Sequence, residues 1–180
     1  MSADTPVLVL PGLGNSGPQH WQTLWELRHP GWKRVNLEDW DSPDCDEWVR
    51  ALDVAVAACP SPPLLVAHSL ACLLVAHWAH RSSLRLKGAF LAAVPDPRGV
   101  SFPATARGFV PVPMAPFAFR SLVIASANDP FGSLTHATQC AAAWGSTFID
   151  IGQAGHINAD SGHGEWNGGY DLLQRFMGVL

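Results

Sequence analysis

The chain has 180 residues, 48% of them hydrophobic and only 14% charged, with a formal net charge of −4. That length and apolar share predict one domain, residues 1–180, with a sizeable core, and are too small for two. Lys33-Arg34 is the only adjacent basic pair, which argues against nucleic acid or an acidic membrane surface as partner, since both are bound by clustered cations.

Met1-Ser2-Ala3-Asp4-Thr5-Pro6 is polar, with no cationic stretch before an apolar run, so no secretory leader is expected. Val7 to Leu10 has the unbroken apolar pattern of a buried strand, and Pro11 to Pro18 follows as a loop of turn formers. His20 to Leu27 predicts a helix with Trp21, Leu24 and Trp25 on one face. Trp32 to Leu37 predicts a weaker strand. Ser42-Pro43-Asp44 marks a helix start, and the helix runs to about Ala58 on a stripe of Trp48, Leu52, Ala55 and Val56 before Pro60-Ser61-Pro62-Pro63 stops it. Leu64 to Ala67 reads as a buried strand, Leu70 to His80 as an Ala- and Leu-rich helix, and Leu86 to Val94 and Leu122 to Ala125 as strands. Ser133 to Trp144 predicts a helix, Thr147 to Ile151 a strand and Gly169 to Met177 a terminal helix. Only Pro95 to Arg120, rich in proline and aromatic residues, lacks periodicity, which marks a functional or mobile loop.

Strands apolar on both faces and alternating with helices imply an α/β fold in three layers, with about six mostly parallel strands and helices on both sides. No apolar stretch is long enough to span a membrane, and the expected location is the cytoplasm. Cys45, Cys59, Cys72 and Cys140 show no CxxC spacing and read as reduced thiols. The eight histidines show no HExxH or paired ligand spacing, so neither a metal nor a cofactor is expected.

In open α/β sheets ligands sit beyond the carboxyl ends of the strands. The predicted strands are followed there by Pro11-Gly12-Leu13-Gly14-Asn15-Ser16, His68-Ser69-Leu70-Ala71, Pro95-Asp96-Pro97, Asn128-Asp129 and Gly155-His156-Ile157-Asn158. A Ser, an Asp and a His therefore share one edge, in the chain order of an α/β-hydrolase. Ser69 lies between a buried strand and a helix, with Ala67 and Ala71 two residues to either side. A nucleophile on a strained strand-to-helix turn needs such small flanks, and alanine keeps the steric logic of G-x-S-x-G. Ser69 also suits a plain helix cap. His156, among Gly152, Gly155 and Gly162, is the expected base, with His163 in the same loop as its rival. Asp129 is the expected acid, although Asn128-Asp129-Pro130 is also a good turn and Asp96 an alternative acid. Two backbone amides, of Leu70 and of Leu13 with Gly14 next, are expected to form the oxyanion hole. A nucleotide-binding reading of the glycines is weak, because no complete G-x-G-x-x-G and no GK[ST] occurs.

Pro11-Gly12-Leu13-Gly14-Asn15-Ser16-Gly17-Pro18-Gln19-His20-Trp21, with Trp25-Glu26, resembles the opening of the small serine hydrolases related to retinoblastoma-binding protein nine and the bacterial YdeN proteins. The likeness continues through His68-Ser69-Leu70, Ser126-Ala127-Asn128-Asp129-Pro130, Gly155-His156-Ile157-Asn158, Ser161-Gly162 and Trp166. It implies a compact α/β-hydrolase without a large cap domain and a triad at Ser69, Asp129 and His156. Ala71 departs from the family, which usually carries glycine after Ser-Leu.

Gly12, Gly14, Asn15, His68, Asn158 and Trp166 are candidates for pocket or loop support, and Trp21 and Trp25 for pocket lining or plain core. Phe102, Phe109, Phe117 and Phe119 either cover the Ser69 site or fill core. The expected activity is hydrolysis of carboxylic esters of small to medium size, with activated amides or thioesters as variants, the partner being a small-molecule ester. The alternatives are a protein-binding module on a hydrolase scaffold and a flavodoxin-like binder, which would carry flavin.

Overall fold

Strands that are apolar on both faces need a helical layer on each side, and the computed structural model, which describes residues 5–180, has that arrangement. Met1 to Asp4, read above as a polar start without leader character, lie outside the described residues. The elements are β1 (Val7–Leu10), α1 (Trp21–Arg28), β2 (Lys33–Arg34), α2 (Cys45–Ala57), β3 (Leu64–His68), α3 (Leu70–Ala79), β4 (Gly88–Ala92), β5 (Arg120–Ala125), α4 (Leu134–Trp144), β6 (Thr147–Asp150), a 3₁₀ turn (Ala159–Ser161) and α5 (Asn167–Met177). Six strands form one sheet in the order β2-β1-β3-β4-β5-β6, and every adjacent pair is parallel.

The period of two along each strand divides the core. Leu8, Leu10, Leu65, Ala67, Ala89, Leu91 and Val123 face α2, α3 and α4 in one cluster. Val7, Leu64, Val66, Phe90, Ala92, Leu122 and Ile124 face α1 and α5 in the other. Helix α2 starts where Asp44 accepts hydrogen bonds from the amides of Asp46 and Glu47, and it buries Trp48, Leu52 and Val56. Helix α3 is buried from Leu70 to Trp78, because it is pressed between the sheet and α2. Helix α4 begins at the Ser133 cap and ends at Gly145 in the left-handed conformation.

The chain steps from β1 outward to β2, then returns past β1 to β3. That reversal opens a crevice at the carboxyl ends of β1 and β3. Gly12 and Ser69, which follow those two ends, meet there.

Two strands are shorter than their sequence patterns. Only Lys33–Arg34 pairs as β2, although the Val35 amide still reaches the Val9 carbonyl at 3.0 Å, and Val35 and Leu37 are buried beyond it. β4 keeps five of the nine predicted residues, and Ala93, with φ 59°, turns the chain out of the sheet. The crossover from β4 to β5 contains no helix. Pro95 to Phe119 lies against α2, α3 and α4, with Phe109 in the core and backbone bonds between Arg107 and both Pro43 and Cys45. Among the described residues no helix is long and apolar enough to cross a membrane.

Gln22, wholly buried on α1, joins the layers at the crevice. Its Nε2 donates to the carbonyls of Leu10 and Val66 at 3.0 Å each, and its Oε1 accepts the Ser16 hydroxyl at 2.6 Å. Gln22→Leu keeps the volume and orphans all three groups. We expect a loss of about 2–4 kcal/mol of unfolding free energy in urea titrations, and an unchanged midpoint would contradict this role.

Candidate active site

Ser69 forms the turn between β3 and α3 with φ 56° and ψ −124°, a left-handed conformation that few non-glycine residues adopt. Its amide donates to the Ala92 carbonyl at 2.9 Å and its carbonyl accepts from Cys72 at 2.8 Å, so sheet and helix hold the turn from both sides. The side chain makes no capping bond to α3. Ala67 and Ala71 are fully buried, which explains why neither flank carries a larger side chain. Gly12 approaches so closely that a methyl group there would stand 2.9 Å from Ser69 Cβ and 3.3 Å from the Leu70 nitrogen.

His156 Nε2 lies 2.8 Å from Ser69 Oγ, and His156 Nδ1 lies 2.8 and 2.9 Å from the two carboxylate oxygens of Asp129. The side chains of His156 and Asp129 are 10% and 2% exposed, so this chain of polar contacts is largely shielded from water. Asp129 Oδ1 also accepts the Phe131 amide at 2.9 Å, and the Phe131 ring lies 4.5 Å from the imidazole.

The loop that carries His156 is pinned at successive residues. The Ala154 amide donates to Ser126 Oγ at 2.9 Å and the Gly155 amide to Asn128 Oδ1 at 2.7 Å. His68 Nε2 donates to the His156 carbonyl at 2.9 Å, and Trp21 Nε1 to the Ile157 carbonyl at 2.8 Å. Gly155, with φ 58°, must be glycine on a second count, since a Cβ would stand 2.6 Å from Ser161 Cβ. Asn158 and Ser161 bond reciprocally to each other's amides and close the 3₁₀ turn.

A cavity of about 460 Å³ opens over Ser69 and His156, bounded by Leu13, His20, Phe102, Phe131 and Asn158 among others. Leu70 opens α3, so its amide has no helical acceptor, and the Leu13 amide has no acceptor among the described residues. The Gly14 amide, in contrast, donates to the Trp40 carbonyl at 2.8 Å, which removes it as an alternative donor. A larger cavity, about 900 Å³, opens at the amino-terminal ends of β1 and β2, away from Ser69.

Several candidates fall elsewhere. Asp96 caps the Arg98 amide and approaches His136 at 3.8 Å, not His156. His163 bonds Ser161. Trp166 does not line the cavity. It stacks on Trp25 at 5.8 Å and packs against Trp21 and Phe90, because the loop before α5 folds it under the sheet. Trp21 and Trp25 are fully buried in the same cluster. Asn15 lines the cavity and binds Arg34 at 2.8 Å. Phe117 and Phe119 stack with each other, and Phe117 on Trp144. All four cysteines are free, and burial pushes the thiols of Cys45 and Cys140 up to about 12. Among the described residues no three His, Cys, Asp or Glu side chains converge as a metal site.

A family model described as serine hydrolase matches residues 7–175. The chain belongs to the serine hydrolase family. A YdeN-like hydrolase from Pectobacterium atrosepticum is 33% identical to this serine hydrolase, with a TM-score of 0.86 over 97% of this chain and 91% of that one. The ydeN gene product of Bacillus subtilis shares its fold at 20% identity, with a TM-score of 0.79 over 97% and 99% of the two chains. So does the esterase domain of a Rhodothermus marinus protein, at 16% identity and a TM-score of 0.67 over 94% and 86%. No curated protein matches the chain.

Two supports of this serine hydrolase's site escape sequence reasoning. Gln22 holds the ends of β1 and β3, and Arg34 ties the loop after β1 through Asn15, the Ser16 carbonyl, Thr23 and Glu26. The available signal was a lone amide beside Trp21 in an otherwise buried helix face.

His68 and His20 are both held neutral. Burial, chiefly, depresses His68 well below its ordinary value and lowers His20 to about 4, with the charges of Arg34 and His156 adding to the effect on His20. The unfolded chain takes up protons at both below about 6.5, and the folded chain does not, so stability falls as pH drops below 6.5. Urea titrations at pH 7 and pH 5 are expected to differ by roughly 2 kcal/mol for each histidine, and a chain equally stable at both would contradict the burial of these rings.

Proposed function

We propose that this serine hydrolase, acting as one domain over residues 1–180, cleaves carboxylic esters of small to medium size through an acyl-enzyme, with activated amides and thioesters as chemically related substrates. The reading is carried by one observation: the unbroken contact from Ser69 Oγ to His156 Nε2 at 2.8 Å and from His156 Nδ1 to Asp129 at 2.8 Å. Asp129 accepts the Nδ1–H, which leaves the Nε2 lone pair facing the hydroxyl. Ser69 Oγ attacks the carbonyl carbon while its proton passes to Nε2. The negative charge that develops on the carbonyl oxygen is met by the amides of Leu70 and Leu13, with the amino-terminal end of α3 behind them. The imidazolium then protonates the leaving alkoxide as the C–O bond breaks. Water, deprotonated by His156, attacks the acyl-serine, and the proton returns to Ser69 as the acid departs.

The cavity's contents support this assignment over a bare binding role. Its floor carries the hydroxyl and the imidazole, and its rim carries the two amides without acceptors. The crossover from β4 to β5 supplies Phe102 and Pro103 as apolar wall.

Ser69→Ala is expected to abolish hydrolysis of p-nitrophenyl acetate and labelling by a fluorophosphonate probe. Asp129→Asn should lower kcat by about 10³–10⁴-fold, because the imidazole loses its tautomer. Asp96→Asn, whose side chain meets the Arg98 amide and His136 rather than His156, should change it less than about threefold. Retained turnover in Ser69→Ala, or an Asp96→Asn defect equal to that of Asp129→Asn, would refute the assignment.

A further inference from the structure

His20 Nε2 is, among the described residues, the one buried side-chain nitrogen or oxygen without a hydrogen-bond partner. His20 caps α1: its Nδ1 accepts the Gln22 amide at 3.2 Å, so the proton of the neutral ring is on Nε2. The residue is 7% exposed and wedged against Trp21 and His68, whose ring centre lies 4.7 Å away. His68 does not relieve it: its Nε2 donates to the His156 carbonyl, and its Nδ1, the remaining acceptor of that ring, makes no hydrogen bond to His20 Nε2. Yet His20 also lines the cavity over Ser69 and His156. A buried N–H left without an acceptor is uncommon and costs the empty protein free energy that an arriving acceptor recovers.

The cavity's charge narrows that acceptor. None of the residues that line it is Lys or Arg, while Asp160 is among them. With its pKa lowered to about 4, His20 adds no positive charge near neutral pH. Arg34, whose charge reaches His20 from behind the loop, is already paired with Glu26, so an anionic group would enter without a free counter-charge and against a carboxylate.

We propose that His20 is a specificity-determining residue whose Nε2–H donates to an uncharged oxygen, of an ether, hydroxyl or carbonyl, that the ester carries beside its scissile group. The proposal rests on the Ser69 reading above. It makes oxygen-substituted neutral esters the preferred substrate class over plain alkyl esters and over esters with a free carboxylate.

The test uses pairs that differ by one CH₂-to-O exchange, each kcat/KM divided by the ester's rate with hydroxide. On the acyl side the pair is p-nitrophenyl methoxyacetate and p-nitrophenyl butyrate; on the alcohol side it is methoxyethyl acetate and butyl acetate. One pair is expected to favour the ether by about tenfold, which identifies the side on which the oxygen binds. His20→Phe should bring that ratio to about one, and His20→Gln, which restores an N–H donor, should recover part of it. Wild-type ratios within about twofold of one for both pairs, or a ratio unchanged in His20→Phe, overturn the proposal. The wild-type ratios decide even where a variant fails to fold. Turnover of p-nitrophenyl hydrogen succinate faster than that of the butyrate overturns the requirement for an uncharged group. Fluorophosphonate labelling separates the two readings: a wild-type chain that does not label refutes the nucleophile, whereas one that labels but shows flat ratios refutes only His20.

Discussion

The site depends on the backbone of a single residue. Ser69 has φ 56° and ψ −124° at the point where β3 becomes α3. Such a conformation costs a non-glycine residue on the order of 1–3 kcal/mol, and it persists only where its surroundings over-determine it. Here the Ala92 carbonyl holds the amide, Cys72 holds the carbonyl, and Gly12 leaves no room for the turn to relax toward β1. The consequence is directional. A serine at the start of a helix ordinarily folds its hydroxyl back onto the first free amides. In this chain the strained turn lifts the hydroxyl away from them, toward the His156 imidazole, and leaves the Leu70 amide open.

Once that hydroxyl is placed, the histidine loop has to meet it. The loop is held by its own backbone: Ser126 and Asn128, beside Asp129, bind the amides of Ala154 and Gly155, and His68 and Trp21 bind the carbonyls of His156 and Ile157. Carboxylate, imidazole and hydroxyl thus share supports, because Asn128 adjoins Asp129 and His68 adjoins Ser69. Their alignment is a property of three loop ends fixed to one another, which is how donors and acceptors are set before substrate arrives. The neutrality of His68 follows from the same packing. A buried ring that lends a proton to a carbonyl needs only one N–H, and a second proton would bring uncompensated charge into the core.

The parts legible in the sequence are those in which a local pattern meets no competition. Val7 to Leu10 and Leu64 to Ala67 are strands between two helical layers, and their unbroken apolar runs state as much. Ser42-Pro43-Asp44 marks the start of α2, which Asp44 caps, and the helix expected from Ser133 starts there, with Ser133 as its cap. What was hidden is set by tertiary partners. The run Leu86 to Val94 is long enough for nine strand residues, but the sheet pairs five, because the turn at Ala93 is required for the chain to leave between Ser69 and β5. Trp32 to Leu37 has the apolar content of a strand yet pairs at two residues, since it lies at the edge of the sheet and its remaining apolar side chains are buried by other contacts. Trp166 could not be separated from a pocket residue by composition, because a tryptophan beside the histidine loop is equally at home beneath it. Gln22 carries no signature of its role either. Its acceptors, Leu10 and Val66, are carbonyls at strand ends that no side-chain pattern records.

The irregular crossover from Pro95 to Phe119 then decides what kind of cavity the site has. A segment without helix or strand could close over substrate as a lid, and closure would have to be driven by binding energy. The segment is instead tied along its length. The Asp96 amide bonds the Phe131 carbonyl at 2.8 Å, His77 Nε2 donates to the Phe109 carbonyl at 3.2 Å, Trp144 Nε1 to the Pro113 carbonyl at 2.8 Å, and the Phe117 amide to the Trp144 carbonyl at 3.0 Å. Each bond contributes about 1 kcal/mol, and Phe109 would have to leave the core with them. A swing of the whole segment therefore costs more than a small molecule can supply in contacts. Phe102 and Pro103, between the anchors at Asp96 and Arg107, form a standing wall of the cavity. On the proposed reading, selection of substrate falls to shape and hydrogen-bonding groups already in place.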